Sequence, residues 1–256
     1  MTSLSSKKLV GVNLKMYFDR ARTLAWAEEL AFNSTKNKEF PGNDIELFVF
    51  PTFPLISEVS NIFNVTQISY GAQNVALTGS GPFTGEVSAN VLKEYGCKYV
   101  ILGHHERRSI FKEGEEIIAA KVQIVFEAGL IPLICVGETS RADQSVANSE
   151  VISQVTTALR LSSKYLTNSP FIIAYEPTWA IGAAEPAPSK HIIDICSVIR
   201  GELEKIGASA GKLIYGGSAG PGLFQEISAA CDGIFLGRKA HKVSALLEVL
   251  REVSCA

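Results

Sequence analysis

Eight short runs of β-branched and other apolar residues recur along the chain: Leu9–Leu14, Glu46–Phe50, Gln67–Ala72, Tyr99–Leu102, Ile131–Val136, Phe171–Tyr175, Lys212–Tyr215 and Gly233–Leu236. The longer stretches between them carry apolar residues at helical spacing, as in Leu24, Ala27, Leu30 and Ala31, or Ile192, Ile195, Cys196, Ile199 and Leu203. Most of the short runs are continuously apolar, which is the pattern of strands covered on both faces of a parallel sheet. Eight strand-helix units in 256 residues predict an α/β chain closed as a (β/α)8 barrel. A doubly wound sheet of this length would have roughly five to seven strands. No linker-like tract, shift in composition or short repeat divides the chain, so a single domain over residues 1–256 is expected. Its Ser/Lys-rich start, to about Lys8, reads as a poorly ordered extension.

In such barrels chemistry sits where the strands end. The first run ends in Asn13-Leu14-Lys15, and strand alternation puts Asn13 and Lys15 on one side, toward the axis. A lysine there can hold a phosphate or stabilise negative charge developing on oxygen, although a solvated lysine past a strand end would look the same. The fourth run ends in Gly103-His104-His105-Glu106-Arg107-Arg108. A histidine before a helix N-terminus would be held neutral by the helix dipole and could polarise a carbonyl. Only one of the two adjacent histidines is expected to face the mouth. Glu106 could form the ion pairs that fix His104 and Lys15, or belong to a solvated charge cluster.

The sixth run ends in Glu176-Pro177-Thr178-Trp179-Ala180-Ile181-Gly182, followed by the small residues and prolines of Ala183 to Pro188. This reads as a carboxylate base beneath a movable lid, the alternative being an exposed loop glutamate. Trp179 and Ile181 need something to pack against, which favours a lid that docks. The seventh and eighth runs end in Gly216-Gly217-Ser218 and Gly237-Arg238, turns whose backbone N–H groups can approach an anion closely.

Charge and cysteine usage exclude other classes. With 24 Lys and Arg against 26 Asp and Glu, the net charge of −2 gives no general affinity for nucleic acid. No apolar run approaches the roughly 18 residues of a membrane helix, and no signal-peptide core follows the N-terminus, so a soluble cytoplasmic protein is expected. Cys97, Cys135, Cys196, Cys231 and Cys255 are odd in number and widely spaced, which suggests reduced, mostly buried thiols and neither a disulfide framework nor a zinc site. No metal or cofactor is expected.

Taken in order, the motifs resemble the triosephosphate isomerase family over nearly the whole chain. They are Asn13-x-Lys15-Met16, Gly71-Ala72-Gln73-Asn74, Phe83-Thr84-Gly85-Glu86, Gly103-His104-x-Glu106-Arg107-Arg108, Cys135-Val136-Gly137-Glu138, Tyr175-Glu176-Pro177-x-Trp179-Ala180-Ile181-Gly182, Tyr215-Gly216-Gly217-Ser218 and Asp232-Gly233. The resemblance implies a TIM barrel and an aldose-ketose isomerase that needs no cofactor and acts on a small phosphorylated sugar through an enediolate. It implies Glu176 as the base that moves a proton between adjacent carbons and His104 as the neutral electrophile that shuttles protons between oxygens. Lys15 and Asn13 would stabilise the enediolate, and the backbone N–H groups of Gly182, Ser218, Gly237 and Arg238 would hold the phosphate. Phe83-Thr84-Gly85-Glu86 resembles the loop by which the family's subunits interlock, implying a homodimer with Thr84 reaching toward the partner's site.

Departures from the family pattern surround the pocket. Leu14 stands where Trp is usual, Tyr17 where a smaller polar residue is, His105 where Ser is, and Arg238 where a second Gly is. The lid carries Glu185-Pro186-Ala187-Pro188 in place of the usual hinge. None of these touches the presumed catalytic residues, so they bear on substrate choice. The default substrates are dihydroxyacetone phosphate and glyceraldehyde 3-phosphate. The Gly-Arg turn is similar to that of the erythrulose-phosphate isomerases, which gives a tetrulose phosphate as the alternative. A second alternative is a paralogue that binds a metabolite without turning it over.

Overall fold

The computed structural model describes residues 7–36, 44–141 and 143–256. Eight parallel strands close into a barrel in sequence order: β1 Lys8–Asn13, β2 Ile45–Phe50, β3 Ser69–Ala72, β4 Tyr99–Leu102, β5 Ile131–Val136, β6 Phe171–Tyr175, β7 Gly211–Tyr215 and β8 Gly233–Leu236. Nine α-helices are found among the described residues: α1 Arg20–Lys36, α2 Ile56–Phe63, α3 Ala89–Glu94, α4 His105–Ser109, α5 Glu115–Glu127, α6 Gln144–Leu159, α7 Ser189–Lys205, α8 Leu223–Ile227 and α9 Val243–Cys255. Both α4 and α5 follow β4. Closure is made by β1, whose Val12 lies opposite Val49 of β2 on one side and Leu236 of β8 on the other. No described helix is long and apolar enough to cross a membrane.

Alternation along the strands sorts side chains into two cores. Val10 and Val12 of β1, Ile173 and Tyr175 of β6 and Ile234 and Leu236 of β8 point outward and pack with the helices. Leu9, Phe48, Phe50, Tyr99, Ile101, Leu133, Cys135, Ile172, Ala174, Ile214 and Phe235 fill the barrel interior. The interior is crowded enough that β1 needs a glycine. A Cβ at Gly11 would lie 2.5 Å from the Phe48 ring and 2.7 Å from that of Phe235. The floor is closed by Glu46, which accepts hydrogen bonds from Tyr99, Ser69 and Lys98.

Strand bounds differ from expectation by one or two residues: β1 is shifted one residue toward the N-terminus, β2 and β7 each begin one residue early, and β3 begins two residues late. The N-terminal extension was expected to reach about Lys8, but Lys8 already pairs with Ile45 as the first residue of β1. Residues 1–6 of that extension lie outside the described residues. The third strand starts at Ser69 instead of Gln67, because the Thr66 hydroxyl accepts the Ile68 N–H at 3.1 Å and holds a turn there. Four of the five cysteines are buried, and Cys255 is exposed.

Candidate active site

Extending the same alternation past each strand end predicts what faces the mouth. Phe171, Ile173 and Tyr175 point outward, so Glu176 is the next inward residue of β6. By the same count Asn13, Gly216 and Gly237 follow the inward Gly11, Ile214 and Phe235. All four line one cavity of about 700 Å³ at the C-terminal ends of the strands, with Lys15, His104, Glu106, Gly182, Ser218 and Arg238.

Glu176 is 7% exposed and its Oε2 has no hydrogen-bond partner. Space for it is made by glycines. A Cβ at Gly216 would lie 2.6 Å from its Oε1, and one at Gly137 only 2.1 Å from its carbonyl oxygen. Across the mouth, 3.9 Å from Oε2, stands Nε2 of His104. His104 would point outward if β4 simply continued. Gly103, with φ +65°, breaks the alternation and turns it in. Its Nδ1 accepts the Glu106 N–H at 3.2 Å, so the neutral ring carries its proton on Nε2, facing Glu176.

The imidazolium form of His104 is disfavoured chiefly by burial, and the ring also caps the N-terminus of the five-residue α4. Lys15 and His105 push its pKa down as well, while Glu176 and Glu106 oppose them, and the net direction is downward. His105 also lines the cavity, contrary to the expectation that only one of the pair would face it.

Lys15 reaches the mouth by a different route from the one expected. The strand stops at Asn13, whose Oδ1 accepts the Lys15 N–H at 2.9 Å, and Lys15 adopts a left-handed conformation with φ +51°. Gln73 stabilises this turn by donating to the Lys15 and Phe50 carbonyls, both at 3.0 Å. The Lys15 ammonium then pairs with Glu106 at 2.8 Å. Burial raises the Glu106 carboxyl, but the Lys15 hydrogen bond and the neighbouring charges outweigh it, leaving its pKa below the ordinary value. Glu106 thus touches both residues it was expected to fix.

The other end of the cavity is made of backbone. Among the described residues the N–H groups of Gly182, Ser218, Gly237 and Arg238 find no acceptor in the protein. A cluster of such donors is a cradle for an anion. The lid over it is docked. Trp179 Nε1 donates to Glu138 at 2.9 Å, Ser218 Oγ to the Ala183 carbonyl at 3.0 Å, and the Ala187 N–H to Tyr215 Oη at 3.0 Å. Buried Glu138 also receives Tyr175 Oη and lies 2.9 Å from His191 Nε2. Neither Gln73 nor this Glu138 cluster is legible in the sequence as a functional group, since both depend on contacts between residues far apart in the chain. Thr84 sits on an exposed turn outside the cavity of its own chain.

A carboxylate with a free oxygen facing a neutral N–H donor, beside a fixed ammonium and an anion cradle, can take a proton from carbon while neighbouring oxygens are stabilised. Comparison with known proteins agrees with that chemistry. A family model described as "Triosephosphate isomerase" matches residues 8–253. The chain is 40% identical over 251 residues to an "L-erythrulose-1-phosphate isomerase" of Pectobacterium atrosepticum, covering 97% of each chain. It is 37% identical over 215 residues to a "Triosephosphate isomerase" of Magnetococcus marinus, covering 81% of this chain and 84% of the relative. A second "L-erythrulose-1-phosphate isomerase", from Rhizobium etli, is 34% identical over 258 residues, covering 96% of this chain and 92% of the relative.

Proposed function

From the premise that the chain belongs to the triosephosphate isomerase family, an isomerase family, we propose how it isomerises a small sugar phosphate and which sugar it takes. The observation that carries the mechanism is the unpartnered Glu176 Oε2, 3.9 Å from the Nε2 of a histidine whose other nitrogen is already an acceptor. Glu176 takes a proton from the carbon beside the carbonyl, and the C–H electron pair becomes the C=C bond of an enediolate. His104 gives its Nε2 proton to the oxygen that gains charge and takes in return the proton of the neighbouring hydroxyl, whose oxygen becomes the new carbonyl, while Lys15 and Asn13 stabilise both oxygens. Return of the proton to the adjacent carbon completes the isomerisation. In triosephosphate isomerase, the standard example of this chemistry, a glutamate and a neutral histidine divide the work in this way.

The phosphate sits on the N–H groups of Gly182, Ser218, Gly237 and Arg238. Lid closure over it excludes water, which limits loss of phosphate from the enediolate.

For the substrate, the sequence alone makes the triose phosphates the default. Two considerations favour a tetrulose phosphate. The relative matched at 40% identity over 97% of both chains is named for L-erythrulose 1-phosphate, and Arg238 and Tyr17 both line the cavity where smaller residues are usual. A few kcal/mol of changed contact are enough to reverse preference between substrates differing by one hydroxymethyl group. Comparing kcat/KM for L-erythrulose 1-phosphate and dihydroxyacetone phosphate decides it. A preference for the tetrulose is expected; a preference for the triose that Arg238→Gly leaves unchanged returns the protein to the default.

Exposed apolar residues favour assembly as a homodimer. Phe83 beside Thr84 is 51% exposed and Met16 at the rim of the mouth is 90% exposed, as expected of residues covered by a second copy.

A further inference from the structure

Arg238 differs in kind from the rest of the anion cradle. Its backbone N–H belongs to the cradle, but its side chain crosses the mouth, and Nη2 donates to the carbonyl of Gly182 at 2.9 Å. The two residues are 56 positions apart, one on the turn after β8 and the other on the lid. The fit is close on both sides. Gly182 has φ +75°, and a Cβ there would lie 3.2 Å from Nη2.

The base of Arg238 is anchored. Its turn is a 3-10 helix over Arg238–His241, where the Ala240 N–H donates to the Gly237 carbonyl at 2.9 Å. The buried Trp26 of α1 donates from Nε1 to the Ala240 carbonyl, also at 2.9 Å. Behind it His241 packs on the Phe18 ring at 4.5 Å and on Tyr17 at 5.2 Å. A cationic side chain rooted in an anchored turn therefore holds a carbonyl on the lid.

We propose that Arg238 is a positioning residue that clasps the closed lid: its guanidinium holds the Gly182 carbonyl and keeps the adjoining Gly182 N–H in the cradle over the phosphate. The proposal rests on the isomerase reading for its purpose, but the clasp itself is a statement about lid closure over an anion. The other lid contacts lie toward its ends, at Trp179 and Ala187, or use the neutral hydroxyl of Ser218. Arg238 adds a charge-assisted hydrogen bond at the residue that also presents a cradle N–H.

Hydrogen exchange of the lid peptide 177–187 at saturating inorganic phosphate tests this, in wild type, Arg238→Met and Arg238→Lys. Saturation separates closure from affinity. In wild type phosphate should slow lid exchange. Arg238→Met should lose about fivefold of that protection, the scale of one hydrogen bond to a charged donor at a partly exposed site. Arg238→Lys should lose the same lid protection although the charge remains, because an ammonium lacks the planar fork, and both variants should bind phosphate correspondingly more weakly. During turnover, both variants should release more inorganic phosphate per isomerisation than wild type.

The proposal is overturned if Arg238→Met or Arg238→Lys protects the lid as well as wild type, or if phosphate leaves the wild-type lid unprotected. Should wild type turn over neither sugar phosphate, the isomerase reading fails while the phosphate measurement still decides the clasp.

Discussion

Where Asn13, Lys15, His104 and Glu176 converge, the polar atoms facing the cavity are side chains on or just past strand ends. At the other end of the same cavity, by Gly182, Ser218, Gly237 and Arg238, they are backbone N–H groups on turns and on the lid. The first group is fixed by packing. Asn13, His104 and Glu176 are buried, and Glu176 fits only because Gly216 and Gly137 have no side chains. In the second, Ser218, Gly237 and Arg238 sit on turns after β7 and β8, while Gly182 is held in place by the docking of the lid through Trp179, Ser218, Tyr215 and Arg238. On the proposed mechanism, chemistry resides in the rigid end and retention of the substrate in the movable one. Damage to the first should therefore lower kcat, and damage to the second should loosen binding and release intermediate.

The largest effect is expected from Glu176→Gln, which keeps the shape of the rigid end and removes its base. A fall in kcat of about 10³-fold or more is expected, with KM little changed, in steady-state assays on the preferred sugar phosphate. Gly216→Ala tests positioning alone. Its methyl group would displace the Glu176 carboxylate, and a shift of about 1 Å should cost on the order of a hundredfold in kcat. If kcat held, the carboxylate would not be the group that must be so placed.

On the movable side, Tyr215→Phe removes the acceptor of the Ala187 N–H and the donor to the Gly217 carbonyl. About a tenfold fall in kcat/KM is expected, with more phosphate released per turnover, and with kcat for the bound substrate falling less than in Gly216→Ala. Equal losses in both variants would erase the distinction between the two ends.

The smallest effect concerns pH. Burial keeps His104 neutral in the native state, so its folded pKa lies below the unfolded value near 6.5. Between those two values the unfolded chain binds more protons. The favourable contribution is therefore full above about pH 6.5 and is lost as pH falls toward the folded pKa. His104→Gln lacks this loss, so the difference between wild-type and variant urea midpoints should shift in the variant's favour from pH 7.5 to pH 5.5. A difference that does not move would mean that His104 is not held neutral by burial.

The same division governs what could be read from the sequence. Eight continuously apolar runs carried the barrel, since strands buried on both faces have no other composition, and simple alternation carried Asn13 and Glu176 into the mouth. Alternation failed at Lys15 and His104, which arrive by left-handed turns at Lys15 and Gly103. It was silent about Gln73, which is distant in sequence from the Lys15 carbonyl it holds. The Glu138, Trp179 and His191 cluster joins β5, the lid and α7, and a contact among three such elements leaves no local pattern. The anion cradle was legible only as glycines in turns, because a backbone N–H carries no residue identity.

The central claim is that Glu176 moves a proton at carbon, and the most direct measurement is deuterium incorporation from D₂O into the reacting carbon of L-erythrulose 1-phosphate and of dihydroxyacetone phosphate. Wild-type protein should label at least one of them at a rate comparable to its isomerisation, and Glu176→Gln should reduce that labelling by about 10³-fold. Isomerisation without label would mean the hydrogen is not carried by an exchangeable carboxyl, and unchanged labelling in Glu176→Gln would mean that another group is the base.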